Sequence, residues 1–157
     1  KFGMPTSNEA CYAAALHGEF DTLKWLRARG FAWDGEVLRA AAGNRNGREM
    51  IEWALANGCE VNPERDPPEM MESATLSGQL DVLKWLLGKY YGGRWQPRHH
   101  TVLMDHAMTN NRGNVMDWLV CSGCPYDRHA LLTTSRVRHL CDHVMALFRG
   151  LRAAHAW

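Results

Sequence analysis

One pattern of apolar and polar positions recurs along the chain and is marked by four tryptophans, Trp25, Trp53, Trp85 and Trp118, which are 28, 32 and 33 residues apart. The residue eleven positions before each tryptophan is always alanine: Ala14, Ala42, Ala74 and Ala107. Two positions before and one position after each tryptophan, the residues are apolar: Leu23, Ile51, Leu83 and Met116, then Leu26, Ala54, Leu86 and Leu119. A period of this length predicts stacked copies of one small structural unit.

The residues between these apolar columns predict two helices in each unit. Seven positions before each tryptophan come types that readily adopt a left-handed backbone and end helices: Gly18, Asn46, Gly78 and Asn111. Four positions before come residues expected to cap or open a second helix: Asp21, Glu49, Asp81 and Asn114. That helix should end near a glycine: Gly30, Gly58, Gly92 and Gly123. We expect the alanines to let the helices approach closely, with tryptophan and leucine filling the space between layers.

Residues 18–34, GEFDTLKWLRARGFAWD, resemble the second helix and exit loop of the ankyrin repeat, in the same register and without a gap. Residues 58–62, GCEVN, resemble the same family's exit loop more closely still. The resemblance implies an all-α fold, an ankyrin-type helix-turn-helix repeat solenoid within a single domain, 1–157. Its units would cover 9–34, 35–62, 67–96 and 99–127, with 128–157 as a degenerate repeat or C-terminal cap. The variant repeats resemble divergent ones from large DNA viruses, algae and protists.

The chain departs from the family pattern at several points. The Thr-Pro-Leu-His signature is absent, its nearest counterpart being residues 101–104, TVLM, so the hydrogen bonds that tie loop to helix are expected to be missing. The short segment from Asp34 to Ala42 predicts a truncated first finger. Two extra residues after Trp85 predict a longer second helix in the third unit, and one residue is expected to be inserted near 44–46.

The segment between the second and third units, residues 62–69, contains three prolines and is expected to be a loop. Within it, Asp66 followed by Pro67 and Glu69 predicts a capped helix start. Beyond Asp127 the tryptophan ladder stops. Apolar residues at helical spacing there predict a final capping helix: Val137, Leu140, Cys141, Val144, Phe148 and Leu151.

Composition narrows the class of protein. The 157 residues are 46% hydrophobic, carry a formal charge of +1, and include neither an apolar run of membrane-spanning length nor a recognisable export leader. Five cysteines in apolar stretches suit reduced core thiols better than disulfides. These features predict a cytoplasmic or nuclear protein that is not secreted, acts as a monomer and has no membrane partner.

Two groups of residues could suggest chemistry. Residues 121–124, CSGC, have zinc-ligand spacing and are followed by His139, Cys141 and His143. However, Cys124 shares a repeat column with Cys59, and Cys121 lies near Leu119, so we interpret both as buried thiols. A zinc-stabilised module is the alternative, and the prediction is no metal and no cofactor.

The histidines at 99, 100 and 106 have no nucleophile or carboxylate pair at a suitable spacing. We therefore predict no catalytic residue and no enzymatic activity.

The predicted function is a non-catalytic protein-protein interaction scaffold that binds a protein or peptide through the concave face of the stacked repeats. That face would show a mixed polar surface without a stripe of one charge. The candidate partner-binding residues lie on the outer side of the first helices and on the loops: Leu16, His17, Asn44, Arg45, Leu76, Ser77, His106, Thr109, Asn110, Arg65, Arg98 and His99.

An alternative is nucleic-acid or anionic-surface binding through the basic C-terminal helix. Its charge comes from five arginines: Arg128, Arg136, Arg138, Arg149 and Arg152. Because no aromatic side chains are interleaved for base stacking, a solvated polar face is the favoured interpretation and nucleic acid is not the expected partner.

Overall fold

The computed structural model describes residues 8–125 and, except at positions 98, 99 and 101, their side chains. Within that range the structure is helical and has no strand, which confirms the all-α expectation. Its helices are α1 (Glu9–Leu16), α2 (Phe20–Ala28), α3 (Gly35–Ala42), α4 (Gly47–Ala56), α5 (Asp66–Ser77), α6 (Leu80–Tyr91), α7 (Pro97–Thr109) and α8 (Gly113–Cys121). The predicted capping helix around 137–151 lies outside the described residues.

The chain divides after Arg94 into two compact units. In the first unit the helices pack as three successive pairs, α1 with α2, α3 with α4 and α5 with α6. We call the first member of each pair the first helix and the other the second helix. The first helix α3 lies against both α1 and α5, and the second helices α4 and α6 also touch. In the second unit α7 packs against α8.

The apolar columns form the core, as predicted. Each alanine of the first-helix column is buried: Ala14, Ala42, Ala74 and Ala107. The two columns beside the tryptophans are buried as well, with Leu23, Ile51 and Leu83 fully inaccessible to solvent. Small side chains on the first helices therefore allow close approach, while branched ones on the second helices fill the interior.

The tryptophans follow the prediction only in part: Trp53 packs between neighbouring helix pairs, whereas Trp25 does not. Trp25 is 51% exposed, and the other three indoles of the ladder are half-buried. They lie at the outer edge of the second helices, where rings meet edge to face: the Trp53 centroid is 5.7 Å from Phe20 and 5.5 Å from Trp33. The half-buried indoles thus cover the edge of the core with their rings.

The tight turns follow the prediction at three of four positions. Gly18, Gly78 and Asn111 adopt positive φ angles of 74°, 77° and 54°. Asn46 does not, with φ at −93°. The reason is that the connection between α3 and α4 spans residues 43–46 and is longer than the connections within the other two pairs of the first unit. The extra residue expected near 44–46 therefore changes the turn, and Asn46 becomes the residue that precedes α4.

The second helices begin slightly before the predicted capping residues. Asp21, Asp81 and Asn114 are the second residues of α2, α6 and α8, and Glu49 is the third residue of α4, so none of them is a cap. The acids among them instead interact with the positive end of the helix dipole. The glycines that end these helices all have positive φ, as expected, and α6 is the longest second helix.

Three side chains replace the hydrogen bonds expected to be lost with the Thr-Pro-Leu-His signature. Asp34 Oδ1 accepts from the amide of Glu36 at 3.0 Å and caps α3. The side chains of Asp66 and His100 each accept from the amide four residues earlier, at 2.7 Å from Asn62 and 3.0 Å from Gln96. Loop geometry is thus fixed by side chains outside the signature positions.

The helix starts explain the loops. Because Asp34 directly precedes α3, no chain is left for a first finger, as predicted. Helix α5 begins at Asp66 with proline in its first turn, also as predicted, although the Asp66 carboxylate bonds backward to Asn62 and not to a helix amide. Between residues 8 and 125, no helix is both long enough and apolar enough to cross a bilayer.

Candidate partner-binding surface

Repeat spacing defines which residues are equivalent on the first helices of the first unit. Leu16 and Leu76 each lie nine positions before a tryptophan of the ladder, and the extra residue near 44–46 makes Gly43 their counterpart on α3. The shift is therefore 27 residues from α1 to α3 and 33 residues from α3 to α5. The helices touch near these positions: the Asn44 side-chain amide donates to the Ala15 carbonyl at 2.6 Å, and a Cβ added at Gly43 would lie 3.0 Å and 3.2 Å from the hydroxyl oxygens of Ser77 and Ser73.

In this register Leu16, Gly43 and Leu76 are equivalent, and we call them the leucine strip. The side chains of Leu16 and Leu76 are 48% and 37% exposed. Gly43 presents no side chain between them, and the neighbouring Ala40 is buried. A single exposed leucine is ordinary. Two exposed leucines at equivalent positions, with a glycine at the position between them, form an exposed apolar surface.

The same register brings Glu9, Glu36 and Glu69 into one row across the three first helices. Glu9 is exposed, and the other two carboxylates are partly exposed. Arg39 is the only cation on α1, α3 and α5. Its guanidinium lies over the Tyr12 ring, 5.8 Å from the ring centroid, and pairs with Glu36, while Glu69 is 4.0 Å away. The hydrogen bond to Glu36 raises the pKa of Arg39.

Charge is unevenly divided between the two sets of helices in the first unit. Helices α1, α3 and α5 contain five acids and one base, a formal charge of −4. Helices α2, α4 and α6 contain four acids and five bases, a formal charge of +1. Although the sequence predicts no stripe of one sign, these carboxylates form an acidic row in the register of the first helices. Allowing for the inserted residue near 44–46 would have aligned its members.

The predicted site residues of the first unit have two different roles. The side chains of Leu16, His17, Arg45 and Leu76 are exposed. Asn44 is half-buried, and its amide donates to carbonyls of both α1 and α3, at 2.6 Å and 3.1 Å, so it joins the two helices. Ser77 is also half-buried, with its hydroxyl beside Gly43.

The predicted loop residues are only partly described. Arg65 is exposed, and its Nε donates to the buried Asp66 carboxylate at 2.9 Å, which raises the pKa of Arg65. This bond gives Arg65 a role in the loop itself. The side chains of Arg98 and His99 lie outside the described ones.

In the second unit, Thr109 and Asn110 are exposed at the end of α7. The Asn110 side chain donates to the carbonyl of His106 at 2.9 Å, and His106 is half-buried. These residues lie where α7 ends. Earlier in the same helix, Val102 is a large apolar side chain that is 39% exposed.

The cysteines and histidines that suggested chemistry mainly serve the core. The thiols of Cys59 and Cys124 are buried and donate to the carbonyls of Asp34 and His100 at 3.4 Å and 3.6 Å. Burial raises their pKa values to about 11 and about 12, so both are protonated at neutral pH. The fully buried His100 accepts a backbone hydrogen bond.

Cys121 is exposed, so its predicted burial was wrong: it is the last residue of α8, where the helix face turns toward solvent. Across residues 8–125, no three His, Cys, Asp or Glu side chains are grouped as metal ligands. His139, Cys141 and His143 lie beyond that range.

The chain is similar to part of two glutamate–tRNA ligases. It is 35% identical over 98 residues to glutamate–tRNA ligase 1 of Methylobacterium sp. (strain 4-46), covering 60% of this chain and 18% of the ligase. It is 33% identical over 97 residues to the ligase of Afipia carboxidovorans, covering 59% of this chain and 18% of that protein. The chain therefore spans less than a fifth of the ligases' length. No family model and no solved structure matches it.

Proposed function

We propose that this chain is a non-catalytic protein-interaction scaffold of the ankyrin-repeat type, which binds a protein or peptide through the exposed side of its first helices. The observation that carries the proposal is the leucine strip. Helices α1 and α5 bury one side completely, through Ala14, Ala15, Ala74 and Thr75, and yet leave a leucine exposed at the same register position. Exposed apolar side chains in a repeated position are typical of a binding surface.

The repeat arrangement of the first unit supports the ankyrin-type part of the proposal. Three helix pairs follow one another, and the first helix of the middle pair lies against the first helices of both neighbours. The same columns are buried in each pair, and glycines in left-handed conformation end each second helix. A scaffold of this kind presents variable side chains on a constant core.

The use of the reactive residue types supports a non-catalytic role. Cys59 and Cys124 are protonated and hydrogen-bonded in the core, and the His100 side chain, in the first turn of α7, accepts from the amide of Gln96. Cys11 is buried too, and burial raises the pKa of its thiol. The four described cysteines are all free, which fits a reducing compartment such as the cytoplasm or nucleus.

Site-specific photo-crosslinking in the native cell tests the proposal. A benzophenone amino acid would be placed at Leu16 or at Leu76 of the full chain, and at Glu52 on α4 as the matched control. We expect the same partner to be crosslinked from both leucine positions and not from the control, and to be identified by mass spectrometry. Equal crosslinking from all three positions, or none from the leucines, would contradict the proposal.

A second candidate is contact with RNA or another polyanion through the arginines between 128 and 152. The partial similarity to glutamate–tRNA ligases favours it. Residues 8–125 contain fifteen acids and twelve bases, so the positive charge of the chain is concentrated outside them. It predicts RNA binding that weakens steeply with salt and is lost in R136Q/R138Q. Salt-insensitive partner binding unaffected by these changes would contradict it.

A further inference from the structure

We infer that the first-helix surface of the first unit takes a basic segment of a partner protein, anchored by two apolar side chains on the leucine strip. The inference rests on the proposed function and adds the chemistry of the partner. Two independent features carry it: the exposed leucines on α1 and α5, and the acidic row that crosses the same helices.

The leucine strip sets the spacing of the apolar anchors. Leu16 and Leu76 are separated by α3, and neighbouring helix axes lie about 8–10 Å apart, so the two leucines are roughly 16–20 Å apart. An extended segment covers that distance in about five or six residues. Between the two leucines the segment would cross small side chains, because Gly43 has none of its own and the hydroxyls of Ser77 and Ser73 lie beside it.

The acidic residues set the charge of the segment. Arg39 is occupied by Glu36 and lies near Glu69. Within residues 8–125, neither Glu9 nor Glu72 forms a salt bridge. Both lie on first helices, one exposed and one half-buried, where a cation of a partner can reach them.

The same charge disfavours other occupants. A second copy of this chain docking by the same face would bring two surfaces together that each carry four exposed or partly exposed carboxylates and one arginine. A nucleic acid would meet the same repulsion. A basic segment is the partner that gains from both the carboxylates and the leucines.

Selection from a random library of 16-residue peptides, displayed on phage and captured on the full chain, tests the inference. We expect the enriched peptides to have a positive net charge and at least two large apolar residues. Affinity of a synthetic enriched peptide, measured by fluorescence anisotropy, should fall at least tenfold in E9K/E72K and at least tenfold in L16S/L76S, and should fall with added salt.

The matched controls are E49K and W25S, which change an exposed acid on α4 and an exposed apolar residue on α2. Both should keep the affinity within about twofold, and thermal melts should show that every variant is folded. Neutral or acidic enriched peptides, no enrichment, or equal effects of the control and test variants would overturn the inference. A partner crosslinked from Leu16 and Leu76 through a segment without positive charge would overturn the inference and leave the proposed function standing.

Light scattering tests the remaining alternative, in which a second copy of the chain covers the leucine strip. The inference expects the chain to stay monomeric when the peptide is absent. A dimer that dissociates in L16S/L76S would show that a second copy covers the leucine strip, and the inference would then be wrong.

Discussion

The carboxylate of Asp66 lies directly against the α-carbon of Gly35. A Cβ at position 35 would come within 2.5 Å of Oδ2 and 2.8 Å of Oδ1 of Asp66. Gly35 is the first residue of α3 and Asp66 is the first residue of α5, so the contact joins two successive first helices where both begin. Asp66 is buried there and is held by the amide of Asn62 and the guanidinium of Arg65.

Replacing Gly35 with alanine should therefore destabilise the protein, although alanine is the better helix former. The added methyl group would displace a buried carboxylate from its partners, at a cost of about 1–3 kcal/mol in the free energy of unfolding. Urea denaturation measures this cost. The matched control is Gly88→Ala in α6, where no atom lies within 4 Å of the added Cβ. That variant should be more stable than the wild type by about 0.5–1 kcal/mol, and equal effects of the two changes would contradict the assignment.

Asn44 and Arg45 are neighbours with opposite expected roles. Asn44→Ala removes the hydrogen bonds from the Asn44 amide to carbonyls of α1 and α3 and should lower the free energy of unfolding by about 1–3 kcal/mol. Arg45→Ala removes an exposed side chain and should stay within about 0.5 kcal/mol of the wild type. Chemical denaturation of both variants compares them directly. Similar stability of the two would show that the bridge between α1 and α3 is unimportant.

The described thiols should differ sharply in reactivity. Cys121 is exposed, whereas Cys11, Cys59 and Cys124 are buried and their pKa values are raised by burial. In a C141S background, a thiol reagent at pH 8 should label one cysteine quickly, and the further change C121S should abolish that fast phase. Rapid labelling of two or more thiols in the folded protein would show that at least one of Cys11, Cys59 and Cys124 is not buried.

Stability should decline in alkaline solution through Cys59. Burial raises the pKa of this thiol from its ordinary value of 9.0 to about 11, so the folded protein retains a proton that the unfolded chain loses. Its contribution is complete below pH 9 and is lost as the pH rises from about 9 to about 11.

The matched variant is Cys59→Ser, which has no group that titrates in this range. Compared with it, the wild type should lose on the order of 2–3 kcal/mol of unfolding free energy across that window, measured by denaturation at each pH. A constant difference between the two proteins would show that the thiol has no raised pKa.

Regular spacing made the helical fold predictable. Alanine and leucine columns recur at fixed distances from the tryptophans, and burial of such columns follows from the period alone. The start of α5 at Asp66 and the left-handed glycines were predictable for the same reason, since local backbone preferences decide them. The two exposed leucines of the candidate surface were predictable too, because Leu16 and Leu76 each lie nine positions before a tryptophan of the ladder.

Other features required the folded chain. The sequence does not indicate that Asp34, Asp66 and His100 would have the same role at successive first helices. Each side chain accepts a hydrogen bond from a backbone amide whose position is defined only when the loop has folded. The outward position of Trp25 was also decided by packing, since leucine and methionine side chains occupy the interior. The acidic row also escaped notice, because the inserted residue near 44–46 displaces Glu36 from its column.

The sequence by itself determined the helices, their pairing and the columns that are buried, because helix formation and hydrophobic burial follow periods that a single chain displays. The tertiary structure alone decided which exposed residues lie side by side. Leu16 and Leu76, or Glu9 and Glu69, are sixty residues apart along the chain, and only the packing of α1, α3 and α5 makes them one surface. Register between neighbouring helices is set by contacts such as Gly35 with Asp66, which spacing along the sequence does not encode.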